Sequence, residues 1–288
     1  MNGILLSGGH GTRLRPLTSV VSKQLLPIYD KPMIYYPLTT LILSGAREII
    51  VVISPNFEES YANLLGDGSH FGISIKYIVQ NKPTGIPDVF NLTRNKFSLD
   101  LPCTLMLGDN FLFGPSLGQN LFHEVPHEVA LIHGYEVENP ESYGVVEIES
   151  EVIRSIEEKP QAPKSNLAIT GLYRFPTDVF DKAQYLQPSS RNETEIVDLI
   201  NLYNDESRLR CQILPRGSVW LDTGTPSSLL AASNFVSIVQ ERQGLLIGSP
   251  HEAAWRLGLI TDADLINCIS QMCGTSYGSS LEKFVNVN

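Results

Sequence analysis

Five charged side chains stand where charge could do chemistry: Arg13, Lys23, Asp109, Lys159 and Asp222. Arg13 closes a glycine-rich run, Gly8–Gly9–His10–Gly11–Thr12–Arg13–Leu14–Arg15–Pro16, that follows the short apolar stretch Gly3–Leu6. Glycines there permit positive φ and let backbone N–H groups approach phosphate oxygens. The run is not a P-loop, because no Gly-Lys-Ser/Thr follows, and it lacks the third glycine of the dinucleotide fingerprint. Glycines alone fit a tight turn with a solvated arginine equally well. Arg13 and Arg15 directly after them point to a triphosphate. Lys23, in Ser22–Lys23–Gln24–Leu25–Leu26–Pro27–Ile28, could reach the same phosphates as a point charge, although a lone lysine is more often a surface residue. Asp109 follows the apolar run Thr104–Leu107, and Asp222 lies in Trp220–Leu221–Asp222–Thr223–Gly224–Thr225. Each aspartate alone is an ordinary turn or cap residue. As a pair at strand ends they suit Mg²⁺, which takes one or two carboxylates together with phosphate oxygens. Glu158 and Lys159, in Glu157–Glu158–Lys159–Pro160, could hold a sugar hydroxyl and a phosphate, or form a solvated charge cluster. His123–Glu124–Val125–Pro126–His127 matches the H-E-x-x-H zinc pattern, but Pro126 opposes the helical turn that would align the two imidazoles.

The elements that must position these groups alternate. Strand-like Gly3–Leu6, Glu48–Ser54, Ile73–Val79 and Thr104–Leu107 are separated by helix-like segments beginning near Pro32, Phe57 and Gly85. That order predicts an α/β fold with a mostly parallel sheet. The later runs Val129–Glu136, Gly144–Glu149, Val152–Glu157 and Ala168–Phe175 have short links and predict an antiparallel or mixed addition. Glu193–Asn204 is helix-like, and Arg210–Leu214 and Val219–Leu221 are short strands. Thr225 and Pro226 make a good N-cap and first residue for a helix reaching Gln243, with Gly244 as its stop. Glu252–Leu257 and Ala263–Met272 predict further helices. Without a repeat or clear linker, one domain over 1–288 is expected: a catalytic core to about 225 and a helical part from about 226.

Composition narrows the partners. The 288 residues carry 21 Lys+Arg against 31 Asp+Glu, a formal charge of −10, and are 42% hydrophobic. An acidic chain is a poor binder of nucleic acid or anionic membranes. No signal-peptide pattern opens the sequence and no apolar stretch approaches 18 residues, so no membrane association and a cytoplasmic setting are expected. Four cysteines without a CxxC pair fit a reducing compartment.

Taken together, GGHGTRLRPLT from Gly8, SKQLLPIYDKPMIYYPL from Ser22, LLGDGS from Leu64, LGDN from Leu107, YGVVE from Tyr143, EEKP from Glu157, TGLY from Thr170 and WLDTGT from Trp220 resemble the glucose-1-phosphate thymidylyltransferase family of sugar nucleotidyltransferases. The resemblance spans most of the chain. It implies synthesis of dTDP-glucose from dTTP and glucose 1-phosphate, with Mg²⁺ as cofactor and a homotetramer as the assembly. The implied fold is a Rossmann-like, mixed but mostly parallel sheet flanked by helices, with a small sugar-binding β subregion and C-terminal helices. The implied roles place Arg13 and Lys23 on the triphosphate, Lys159 on the sugar phosphate, and Asp109 and Asp222 on the metal. Gly8, Gln80 and Gly85 fall where the family contacts the base, and Asn110, Gly144, Glu158 and Ile169 where it holds the sugar. Gly9, Gly11, Thr12 and Tyr143 belong to the same substrate-binding motifs. Gly85–Ile86–Pro87–Asp88–Val89 departs from the family's usual Gly-Leu-Ala-Gln-Ala and sets Asp88 near the base side; Phe111–Pro115 also differs. The alternatives are another nucleoside triphosphate, an amino or deoxy sugar 1-phosphate, or a non-catalytic binder of sugar nucleotides.

Overall fold

A computed structural model describes residues 1–9, 11–98, 100–115, 117, 122 and 125–285. The strands are β1 (Asn2–Ser7), β2 (Pro27–Ile28), β3 (Lys31–Pro32), β4 (Glu48–Ile53), β5 (Ser74–Val79), β6 (Cys103–Leu107), β7 (Asn110–Phe113), β8 (Ala130–Glu136), β9 (Gly144–Glu149), β10 (Val152–Glu158), β11 (Leu167–Phe175), β12 (Leu209–Ile213) and β13 (Val219–Asp222). The α-helices are α1 (Tyr35–Leu43), α2 (Glu58–Leu65), α3 (Asp88–Thr93), α4 (Val179–Lys182), α5 (Ile196–Asp205), α6 (Pro226–Gln243), α7 (Pro250–Arg256), α8 (Asp262–Gln271) and α9 (Ser276–Val285).

Strands covered by helices on both faces carry near-continuous apolar runs. The run Ile49–Ile53 is such a case, with all five residues fully buried in β4. β1 pairs in parallel with β4 on one side and β6 on the other, and β4 pairs in parallel with β5. The order β5–β4–β1–β6 therefore reverses direction at β1. Open α/β sheets bind ligands in the crevice beyond the carboxyl ends of the strands at such a reversal. The second half joins this sheet antiparallel: β11 lies against β6, β8 against β11, and the β9–β10 hairpin beside β11. Among the described residues the whole sheet has nine strands.

Two local features bear on the cavity at that crevice. β7 and β13 form a separate antiparallel ribbon in which Asp222 lies opposite Asn110. α6 begins as its sequence predicts. The Thr225 side chain accepts from the Ser228 N–H, Pro226 is the first helical residue, and Gly244 ends the helix at φ 68°. α1 starts at Tyr35 rather than near Pro32, which puts Pro37 in the first turn. The N–H that proline lacks is unbonded there in any helix, so no hydrogen bond is lost.

One apolar cluster joins Val51 and Leu5 of the sheet to Leu38 and Leu41 of α1, and on to Ala254, Leu265 and Leu281 of the C-terminal helices. Each fully buried aliphatic side chain stabilises by roughly 1.5–3 kcal/mol relative to exposure. Among the described residues, no helix is long and apolar enough to cross a membrane.

Candidate active site

The loop after β1 carries Arg13. Gly9 and Gly11 adopt φ 102° and 54°, and Thr12–Leu14 form a single 3-10 turn. Leu14 is buried and its N–H donates to Gly11 O at 2.9 Å; the Thr18 hydroxyl donates to the same oxygen at 2.7 Å. These bonds hold the turn so that Arg13 faces a cavity of about 510 Å³ at the carboxyl end of β6. Lys23 opens a later 3-10 turn, Lys23–Leu25, and is 7% exposed. A lysine that buried needs a partner. Its Nζ donates to Asp109 Oδ2 at 2.5 Å.

Asp109 sits in the turn between β6 and β7. Thr223 pins that turn to the end of β13, its N–H and hydroxyl both donating to Asp109 O at 3.1 and 2.7 Å. Asp222 is thereby brought to the same cavity, one carboxylate on the ribbon and one in the turn that leads into it. Burial pushes the Asp222 carboxyl above the usual carboxylate range; the Asp109 charge adds to this, and Lys23 and Arg13 oppose it. A carboxylate that neighbouring burial and like charge disfavour fits a hard divalent cation, which relieves both. Among the described residues no group of three or more His, Cys, Asp and Glu could hold a metal. The pair would need phosphate oxygens or water to complete a coordination shell. Gly224 keeps the centre compact: a Cβ there would lie 2.9 Å from both Arg13 Nη2 and Asp222 Oδ1.

The opposite wall comes from the antiparallel half. Tyr143, Gly144, Glu158, Lys159 and Ile169 line the cavity with Asn110 and Trp220. Gly144 leaves room, since a Cβ would stand 3.2 Å from Val197 and 3.4 Å from Glu158 Oε2. Lys159 has φ 45°, and its N–H donates to Tyr143 O at 2.9 Å. A non-glycine residue there costs about 1–3 kcal/mol of backbone strain, of the kind that gathers at functional sites. Lys159 Nζ lies 3.5 Å from Glu158 Oε1, and Arg191 Nη2 donates to the same oxygen at 3.2 Å. Arg191 also grips Glu195 at 2.5 Å. Burial pushes Glu195 up, but Arg191 and the Ser189 hydroxyl outweigh it and hold the carboxyl below its usual range.

A cavity where two cations face two carboxylates at the switch point is the layout of phosphate chemistry, and sequence comparison assigns its family. A nucleotidyl transferase family model matches residues 2–238. The chain belongs to the nucleotidyl transferase family. It is 44% identical over 289 residues to the glucose-1-phosphate thymidylyltransferase of Mycobacterium tuberculosis, covering 100% of both chains. It is 48% identical over 284 residues to that of Neisseria meningitidis, covering 98% of each. A solved Bacillus anthracis protein described as a glucose-1-phosphate thymidylyltransferase, with sucrose bound, superposes at a TM-score of 0.75 with 34% identity, over 82% of this chain and 94% of that one. A UDP-glucose pyrophosphorylase bound to UDP-glucose, at 24% identity and a TM-score of 0.70, shares the fold.

Within this nucleotidyl transferase, the cavity collects Arg13, Asp109, Asn110, Tyr143, Gly144, Glu158, Lys159, Ile169 and Asp222. Lys23 joins through its ion pair and, with Gly9, lines a neighbouring cavity of about 400 Å³ that also holds Arg15, Thr18 and Ser54. Gly11 and Thr12 shape the turn under Arg13. Gly8 and Gln80 lie together outside the main cavity, a Cβ on Gly8 falling 2.9 Å from Gln80 Oε1. Gln80 is 6% exposed, and its Nε2 has no partner among the described residues. Gly85, at φ 125°, makes an isolated bridge to Thr194, and a Cβ there would meet Thr194 O at 2.1 Å.

Asp88 is held away from the cavity. Its Oδ2 accepts from Thr84 Oγ1 at 2.7 Å in the first turn of α3, and Ile86 reaches the cavity wall instead. His123 and Glu124 of the zinc-like pattern lie outside the described residues. His127 sits in a turn before β8, where the Arg174 guanidinium donates to the carbonyls of Val125, Pro126 and Val129. Sequence spacing does not mark Arg191, Glu195, Trp220 or Gly224 as site residues. The charged run Arg191–Glu195 just before α5 is the available signal for the first two.

Proposed function

We propose that this nucleotidyl transferase couples glucose 1-phosphate to dTTP, releasing dTDP-glucose and pyrophosphate, with Asp109 and Asp222 holding Mg²⁺. The observation that carries the reading is one cavity with Arg13 and the two aspartates on one wall and Gly144, Glu158 and Lys159 on the other, with Lys23 paired to Asp109 from behind that wall. The end-to-end identity to curated glucose-1-phosphate thymidylyltransferases supports the choice of substrates.

The reaction forms a bond between a sugar-phosphate oxygen and the α-phosphorus. The bond from that phosphorus to the β-bridging oxygen breaks, and pyrophosphate leaves with the electron pair. A phosphate monoester loses its second proton near pH 6, so the nucleophile is already anionic at neutral pH and needs no general base. Catalysis is then positioning and charge neutralisation. Lys159 holds the sugar phosphate against the triphosphate despite their mutual repulsion. Arg13 stabilises the charge that grows on the leaving pyrophosphate. Lys23, anchored on Asp109 by their ion pair, adds a cation beside the phosphates. Mg²⁺, when bound by the two aspartates, supplies neutralisation of the phosphate oxygens around the reacting phosphorus. Gly8, Gln80 and Gly85 take the base; Asn110, Tyr143, Gly144, Glu158 and Ile169 surround the sugar. Gly9, Gly11 and Thr12 present backbone to the phosphates. We assign a homotetramer as the assembly; Leu230 and Ile238, both 60% exposed on α6, are apolar surface in keeping with association.

Purified protein with Mg²⁺ would be given each nucleoside triphosphate with each of several sugar 1-phosphates, and pyrophosphate release followed. Release is expected to be fastest with dTTP and glucose 1-phosphate. A faster different pair would move the substrate assignment. No release from any pair, with nucleotide still bound, would leave a binding protein.

A further inference from the structure

The Asn110 side chain lies between an indole and a carboxylate. Its Oδ1 accepts from Trp220 Nε1–H at 2.6 Å and from the Gly171 N–H at 3.0 Å. Its Nδ2 donates to Asp109 Oδ1 at 3.1 Å, while Lys23 holds the other oxygen of the same carboxylate. Two N–H donors converge on one end of the amide, so that end must be the oxygen; the end facing the carboxylate must be the NH₂ group. The amide cannot flip without setting N–H against N–H on one side and oxygen against a carboxylate on the other. Gly171 makes this possible, because a Cβ there would lie 2.6 Å from Asn110 Cγ and Oδ1. Trp220 is itself held between Tyr143 and Tyr135, with ring centroids 4.9 and 5.9 Å away. The indole is thus a fixed donor rather than a mobile one.

From this geometry we infer that Trp220 and Asn110 are positioning residues for Asp109: a relay from indole to amide to carboxylate sets the orientation in which that carboxylate meets a divalent cation. Both lone pairs of Asn110 Oδ1 are taken, so the amide cannot also accept from a sugar hydroxyl; only its remaining N–H is left for substrate. Groups that orient a metal-binding carboxylate typically change metal affinity or activity 10–100-fold when removed. The inference rests on the metal-binding reading of Asp109 and Asp222 and deepens it.

The test reads metal binding directly. Mn²⁺ alone is titrated into wild-type protein, Trp220→Phe and Asn110→Ala, and free Mn²⁺ is followed by electron paramagnetic resonance. Steady-state kinetics with dTTP and glucose 1-phosphate run in parallel, and circular dichroism checks the fold. Trp220→Phe keeps the ring and deletes only the N–H. It should weaken Mn²⁺ binding about tenfold and leave the KM for glucose 1-phosphate within about twofold. Asn110→Ala should weaken Mn²⁺ binding at least as much. Wild-type Mn²⁺ affinity in folded Trp220→Phe overturns the relay. In Trp220→Phe, a raised KM for glucose 1-phosphate with unchanged Mn²⁺ binding also overturns it and makes the indole a sugar contact. Should Asn110→Ala fail to fold, Trp220→Phe decides alone. Wild-type protein that binds no Mn²⁺ overturns the relay and the metal reading together. Wild-type protein that binds Mn²⁺ but releases no pyrophosphate overturns the proposed reaction only.

Discussion

Arg13 and Asp222 face each other across the compact centre that Gly224 permits, and each gives a separate prediction. Arg13→Ala should lower kcat at least tenfold in the pyrophosphate-release assay. A charge-assisted contact made in the transition state is worth about 1.4 kcal/mol or more, and that converts to a factor of ten. An unchanged kcat would remove Arg13 from the transition state. Asp222 sets a pH dependence. Its folded carboxyl ionises at higher pH than the unfolded one, through burial first and the Asp109 charge second. Below the ordinary carboxylate range both states hold the proton and the residue contributes nothing. As pH rises, the unfolded chain sheds the proton first, so stability falls with pH until the folded carboxyl has ionised too. Asp222→Asn should therefore raise Tm at pH 7, with the gain shrinking as the pH falls toward 4, while activity is lost. A Tm at or below wild type at pH 7 would show that Arg13 and Lys23 more than offset the burial.

Single elements carry both the legible and the illegible parts of the chain. β4, β9 and α6 are written locally, in a β-branched run, in an alternating run after a glycine, and in a cap, a proline and a stop glycine. β7 is not. Asn110–Phe113 is four residues whose partner lies more than a hundred positions away, so only the folded pairing reveals it. α9 is also unmarked, because its helical stripe rests on Tyr277 and Leu281 amid serines and a glycine. The candidate site shows the same division. Arg13, Lys23, Asp109, Lys159 and Asp222 stand in recognisable motifs. Arg191 and Trp220 matter through partners that spacing cannot disclose. One crossing links Gly85, which lies off the main cavity, to Glu158 on its wall. The segment before α5 bridges to Gly85 at Thr194 and to Glu158 at Arg191. Gly85→Ala would drive a methyl into Thr194 O at φ 125°. We expect a stability loss of about 1–3 kcal/mol in denaturant unfolding and higher KM values for both substrates. A rise confined to dTTP would mean that Gly85 and the Glu158 wall are not joined through this crossing.

For the molecule as a whole, the net charge of −10 disfavours polyanionic partners but says little about the cavity, where a few cations are placed by the fold. Asp88, the acid by which the sequence departs from its family's usual pattern, is taken up by Thr84 at the head of α3. The C-terminal helices belong to the same interior as the sheet. Tyr277 bonds to Ser249 Oγ at 2.7 Å and His251 Nδ1 at 3.0 Å, and Leu281 is fully buried. Ending the chain after Gly274 should lower Tm by more than ~5 °C in a thermal scan, since two large buried side chains and their bonds go with α9. An unchanged Tm would make α9 an independent appendage. The ribbon of β7 and β13 also bears on how the protein is made. Trp220 and Asn110 are 110 residues apart. On the ribosome, β1, β4, β5 and β6 can emerge and pair while β13 has yet to be synthesised. Loop closure over such a span comes late among folding events. The nascent chain would thus hold an almost finished sheet whose Asp109 turn still lacks Trp220, Thr223 and the second carboxylate, Asp222, and competence for chemistry would arrive only when synthesis nears its end.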